Sequence, residues 1–224
     1  MASTADFVST REAARLLGVS VQQVNRIIEA GELTRVARGL VDRTSIERYR
    51  AARHGGRKRV WAQPTAWAAI ALLSGEDISW LGQVQAWRLR STLLETTNAG
   101  DLITRCRDRA DVRTYRGHSS VLSHLRGEIV SPAAALIGLA DSASSVDGYV
   151  STEAGATLAS RYALKEDDTG TITLRATDFD IYIVTRLARA SSVLAALDAA
   201  TSLDPRSRGV GERVLGEALA RFSE

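Results

Sequence analysis

The stretch STREAARLLGVSVQQVNRII, residues 9–28, constrains this chain more than any other. It reads as a helix, a tight turn at Gly18 and a second helix capped by Ser20, the layout of a helix-turn-helix. Ala13, Ala14, Leu16 and Leu17 fall on one side of the first helix, and Val21, Val24, Ile27 and Ile28 on one side of the second. With those residues turned inward, Gln22, Gln23, Asn25 and Arg26 face outward. Side chains of these types read base edges or hold phosphates, so double-stranded DNA is the expected partner. The competing reading is a helical packing module that touches no nucleic acid.

The next residues extend the pattern. Gly31 closes the second helix at a position that favours a left-handed backbone. Residues 34–43, TRVARGLVDR, read as two short strands around a turn at Gly39, and a third helix follows with Thr44 as N-cap and Ile46 and Tyr49 facing a core. Residues 7–53 resemble winged-helix modules of the excisionase and MerR type, through the STREAARLLGVS opening, the IIEAGEL run and the passage VDRTSIERYR. That resemblance implies DNA binding through the second helix and the wing. By position it puts Gln22, Gln23, Asn25 and Arg26 in the major groove, with Ser20 at the helix start and Arg35, Arg38 and Arg43 around the wing.

Charge distribution points the same way. Residues 1–60 carry 12 Lys and Arg against 6 Asp and Glu, whereas the rest carries 17 against 20. A basic head on a mildly acidic body suits a chain that offers one end to phosphates. Arg57, Lys58 and Arg59 continue the basic run beyond the third helix. They fit either contacts along the DNA backbone or a solvated linker. A lone Cys106 excludes an intrachain disulfide and suits a reducing cytoplasm. The opening residues lack the pattern of a signal peptide, and the longest apolar run, 66–73, is far below the roughly 18 residues of a membrane span.

The expected organisation is a DNA-binding unit at 1–53, a basic linker at 54–63 and a larger body at 64–224. In the body, residues 64–74 and 78–94 have helical spacing, and the four tryptophans between Trp61 and Trp87 are expected as core or interface anchors rather than a ligand cage. A short helix near Leu102 leads to a strand at 112–115. Residues 130–144 read as a small-residue helix started by Ser131 and Pro132, followed by a turn-rich passage to Gly155. Residues 171–175 and 181–184 read as strands, the first preceded by a hairpin-like turn at 165–170. Two helices, 192–200 and 205–222, close the chain, the last capped by Asp204 with Pro205 at its first position. The expected fold class is therefore α+β and mostly helical, a winged helix-turn-helix followed by a larger α/β-containing domain.

Two body segments, QPTAWAAIALLSG and SSVLAALDAATSLDPRSRGVGERVLGEAL, are similar to AbiEi-type antitoxins of type IV toxin–antitoxin systems. The similarity implies an autorepressor that binds its own promoter and counters a nucleotidyltransferase toxin, with the body serving dimerisation, toxin antagonism or both. An excisionase-like or phage-related regulator without a toxin partner is the alternative. No cofactor and no metal are expected, because His118, His124 and Cys106 lack the spacing of a zinc site. The most enzyme-like feature is Asp178 and Asp180, two carboxylates at i and i+2 ahead of an apolar run. On a strand they would share a face and could hold a metal, as in a catalytic body tethered to DNA. Nucleotidyltransferases also need an upstream Gly-Ser element, and that dipeptide is absent from the chain. The pair then reads as a strand start or as partners of Arg175 or Arg186, and the chain as no enzyme.

Overall fold

The computed structural model describes residues 7–53 and 60–224. The first stretch holds β1 (Phe7–Ser9), α1 (Thr10–Leu17), α2 (Val21–Glu29), β2 (Arg35–Ala37), β3 (Leu40–Asp42) and α3 (Arg43–Arg53). Ala13, Val24, Ile27, Leu33, Val41, Ile46 and Tyr49 pack into one small core. The three short strands form a sheet in the order β1-β3-β2, both pairings antiparallel. Strand β1 has no counterpart in the sequence reading, since three residues give periodicity too little length to register. The cap of α3 is Asp42 rather than Thr44. The Asp42 carboxylate accepts from the Ser45 amide at 2.8 Å, and the Ser45 hydroxyl donates back to the Asp42 carbonyl at 2.7 Å.

Beyond residue 60 the elements are α4 (Gln63–Leu73), α5 (Gln83–Leu94), α6 (Ala99–Arg105), β4 (Asp111–Arg116), α7 (Val121–Glu128), β5 (Val146–Ser151), α8 (Thr152–Arg161), β6 (Lys165–Glu166), β7 (Ile172–Thr177), α9 (Ile181–Ala190), α10 (Ser192–Ala200) and α11 (Pro205–Ser223). The chain is thus α+β and mostly helical. A four-stranded sheet runs β5-β7-β4-β6, with β5 and β7 parallel and the other pairings antiparallel. Its Val146, Val150, Ile172 and Leu174 pack on α7 and α8. The larger core lies among α4, α5, α6, α9, α10 and α11, and Tyr149 of β5 reaches into it from the sheet. Helix α4 is buried all round, as its near-continuous apolar sequence requires.

Several expectations need correction. Residues 181–184 belong to α9, not to a strand. Val184, Leu187 and Ala188 are buried at helical spacing, while Tyr182, which alternation would turn the same way as Val184, is 74% exposed. Residues 130–144 are not a helix. They make only a 3-10 turn at Ala134–Ile137, ended at Gly138, and Arg126 gathers the carbonyls of Ser142, Ala143 and Ser145 around its guanidinium. The passage before Gly155 holds β5 and the start of α8, whose N-cap Ser151 accepts from the Ala154 amide. The 165–170 turn builds no hairpin, because β6 and β7 lie on opposite sides of β4. Trp67 is fully buried and Trp61 and Trp80 partly so, but Trp87 is 68% exposed, since α5 turns Leu89 and Leu93 inward instead.

A polar network lies where the sheet meets the helices. Arg109 donates to the Tyr149 hydroxyl at 2.8 Å, to the Cys106 carbonyl at 3.0 Å and to the Asp198 carboxylate at 2.6 Å. The Tyr149 hydroxyl donates to the same Asp198 oxygen at 2.6 Å, and Arg175 forks onto Asp147 at 2.6 and 2.8 Å. Burial opposes both guanidinium charges, yet Tyr149 and Asp198 around Arg109, and Asp147 and Asp198 around Arg175, hold the two above the ordinary arginine range.

Candidate nucleic-acid interface

Local chemistry sets the geometry of the N-terminal helix pair. Ser9 accepts from the Glu12 amide at 3.1 Å and starts α1; Gly18, at φ +65°, ends it, and the Val19 amide returns to the Ala14 carbonyl at 3.0 Å. Ser20 then accepts from the Gln23 amide at 3.2 Å and starts α2. Val24 and Ile27 seal the inner face of α2 against Ala13 of α1. The same turn of helix leaves Gln22 and Arg26 exposed and Gln23 and Asn25 half-exposed. Val21, expected on the inner side, is 40% exposed because it opens the helix ahead of the packed turn.

The hairpin β2–β3 stands beside this helix. Its turn contains Gly39 at φ +79°, a conformation a side chain would strain, and the Gly39 carbonyl accepts from the Thr10 amide at 2.9 Å. Arg35 and Arg38 are exposed on it. Arg35 donates to the Asn25 side-chain carbonyl at 3.3 Å, which joins hairpin to helix. Sequence reading had no means of finding this contact, because the two residues belong to different elements. Arg43 is exposed and lies 3.6 Å from Glu47, one helical turn on. Arg15 is engaged by Glu12 at 2.6 Å, and this guanidinium holds the Glu12 carboxyl below its ordinary range. Seven of the expected contact residues, Gln22, Gln23, Asn25, Arg26, Arg35, Arg38 and Ser20, therefore come from α2, its cap and the adjoining hairpin. Arg57, Lys58 and Arg59 lie outside the described residues.

The remaining candidates do not assemble into a reactive site. Asp178 and Asp180 do not share a strand face: both follow β7, which ends at Thr177. Asp178 accepts from the Thr152 hydroxyl at 2.6 Å, and Asp180 caps α9 through the Tyr182 amide at 2.8 Å. Nor do they pair with the arginines expected, since Arg175 meets Asp147 and Asp198, and Arg186 meets Glu76. His118 and His124 bond locally to the Ser120 hydroxyl and carbonyl. Among the described residues no three His, Cys, Asp or Glu side chains group as a metal site. An open cleft of about 770 Å³ lies between the 131–147 segment and the α10–α11 turn. Asp147 and Asp198 on its wall are already bound to Arg175 and Arg109.

Residues 2–41 match a family model of transcriptional regulators. Its full description is "Transcriptional regulator, AbiEi antitoxin", so the family indicates a regulator that serves as the antitoxin of a toxin–antitoxin system. The match falls on the helix pair and hairpin rather than on the body segments that carry the resemblance in the sequence. Searches of curated proteins and of solved structures gave no match. Among the described residues no helix is long and apolar enough to cross a membrane.

Proposed function

We infer that residues 7–53 form a winged helix-turn-helix that binds a specific duplex site, with α2 in the major groove and the β2–β3 hairpin as its wing. The observation that carries this reading is the pairing of a polar outer face on α2 with an arginine-bearing hairpin fixed beside it. Glutamine, asparagine and arginine at successive outward positions are the side chains that read base edges, and the wing arginines suit phosphates. The family match on the same residues supports a regulatory role. On this reading the chain represses its own promoter in the cytoplasm, acting by binding and not by catalysis. The body, 64–224, antagonises a nucleotidyltransferase toxin and joins two copies, because one small module makes few base contacts and strong specificity needs two half-sites.

The test is binding of the full chain to its own upstream DNA and to a scrambled duplex across a salt series. A complex confined to the native sequence at physiological salt supports the reading. Equal affinity for both duplexes, lost as salt rises, reduces the interaction to counterion release and overturns it.

A further inference from the structure

The wing and the recognition helix meet through one side-chain pair, and its polarity carries chemical information. The Arg35 guanidinium donates to the Asn25 amide oxygen at 3.3 Å. A guanidinium has only N–H groups, so it settles which end of the asparagine amide turns toward it: the oxygen faces Arg35 and the NH2 faces away. Asn25 is half-exposed on α2 and Arg35 exposed on β2. What the pair offers outward is then a set of N–H donors beside a fixed positive charge.

We propose that Arg35 is a specificity-determining residue that makes Asn25 read guanine. This rests on the DNA-binding reading above. A free asparagine amide suits adenine, accepting from the N6 amine and donating to N7. With one of the two lone pairs on its oxygen taken by Arg35 and a cation beside the other, Asn25 presents its NH2 group as the favoured contact, and Arg35 adds further N–H groups. Guanine meets such a pair with two acceptors, N7 and O6. The exocyclic amines of adenine and cytosine instead bring N–H donors toward a cation. The wing thus acts on sequence choice through the helix, separately from any phosphate it neutralises.

The experiment is selection from a randomised duplex pool by the full-length protein and two variants, followed by sequencing. The wild type is expected to enrich a site with guanine favoured over adenine by about tenfold at one position of each half-site. Asn25→Ala is expected to lose the preference at that position alone. Arg35→Ala is expected to switch the same position to adenine while the rest of the site is kept, a change that loss of a phosphate contact would not produce. An unchanged guanine in Arg35→Ala, or a position responding to Asn25→Ala that was never guanine, overturns the proposal. Should Arg35→Ala enrich nothing, Arg35→Met, which keeps much of the stem and no N–H, is selected with the same two outcomes. A wild type that enriches no sequence removes the DNA-binding reading itself, a result distinct from a selected site indifferent to Arg35.

Discussion

Asp198 stands between two guanidinium groups that water barely reaches: Arg109 is 3% exposed and Arg175 7%. Removing one partner of a buried pair leaves an uncompensated charge, so Asp198→Ala is expected to destabilise the protein by about 3–5 kcal/mol, read from urea denaturation. Against Arg109, burial pushes the Cys106 thiol from an ordinary 9.0 up to about 12, and burial raises Tyr149 as well. Both groups are neutral when folded. A raised folded pKa gives stability that is complete below the unfolded value and is lost as pH climbs through the folded one. Denaturation midpoints are therefore expected to fall between pH 9.0 and about 12. Cys106→Ala should make that decline shallower, and an unchanged slope would remove the thiol from the account. On α2 the outward side chains carry a different expectation. Arg26→Ala and Gln22→Ala should each weaken specific DNA binding by about 1–3 kcal/mol, with the thermal unfolding midpoint unmoved. Unaltered affinity in both variants would sink the recognition-helix assignment.

At the scale of elements, α11 shows how one position can be tight and its neighbour slack. A Cβ at Gly211 would lie 2.5 Å from both the Ala196 carbonyl oxygen and the Ala200 nitrogen, backbone atoms of α10 that cannot rotate away. A Cβ at Gly209 would meet nothing within 4 Å. Gly211→Ala is accordingly expected to lower stability by about 1–3 kcal/mol through overpacking. Gly209→Ala is expected to raise it by about 0.5–1 kcal/mol through helix propensity. Thermal melts of the two variants should move in opposite directions. The sequence signals divide along similar lines. Helices with a side-chain cap and a clear apolar face, such as α1, α2 and α11, were legible with boundaries close to those observed. Helix α9 was not, because Ile181, Tyr182, Ile183 and Val184 favour strands locally, and only Asp180 and the later spacing through Leu187 decide for a helix. The 131–145 segment has helical composition, but Pro132, Gly138 and its serines leave its backbone to be satisfied by Asp141 and Arg126 instead.

Across the whole molecule, the core of residues 8–49 and the two cores beyond residue 60 are separate sets of side chains. A fragment of residues 60–224 is expected to fold and to have lost DNA binding. Circular dichroism with a cooperative melt would check the first part, and titration with the selected duplex the second. Retained binding would mean that the functional halves have been assigned the wrong way round. The helix pair and hairpin that carry the candidate interface were legible, because such elements are specified by local spacing, caps and turn glycines. The Asn25–Arg35 contact and the Arg109–Tyr149–Asp198–Arg175 network were not, since hydrogen bonds between distant segments leave no periodicity to read.

Helix α11 packs on α10, α6, α5 and α4, elements that all leave the ribosome before it. The large core can close only when Pro205–Ser223 has been made, whereas every side chain of the first core is in place by Tyr49. Synthesis therefore delivers the N-terminal core, proposed to bind DNA, well ahead of the part proposed to restrain a toxin. A nonsense mutation between Tyr49 and Pro205 would then leave a folded N-terminal core without its completed body, a product that on the proposed reading holds single half-sites weakly and supplies no antidote.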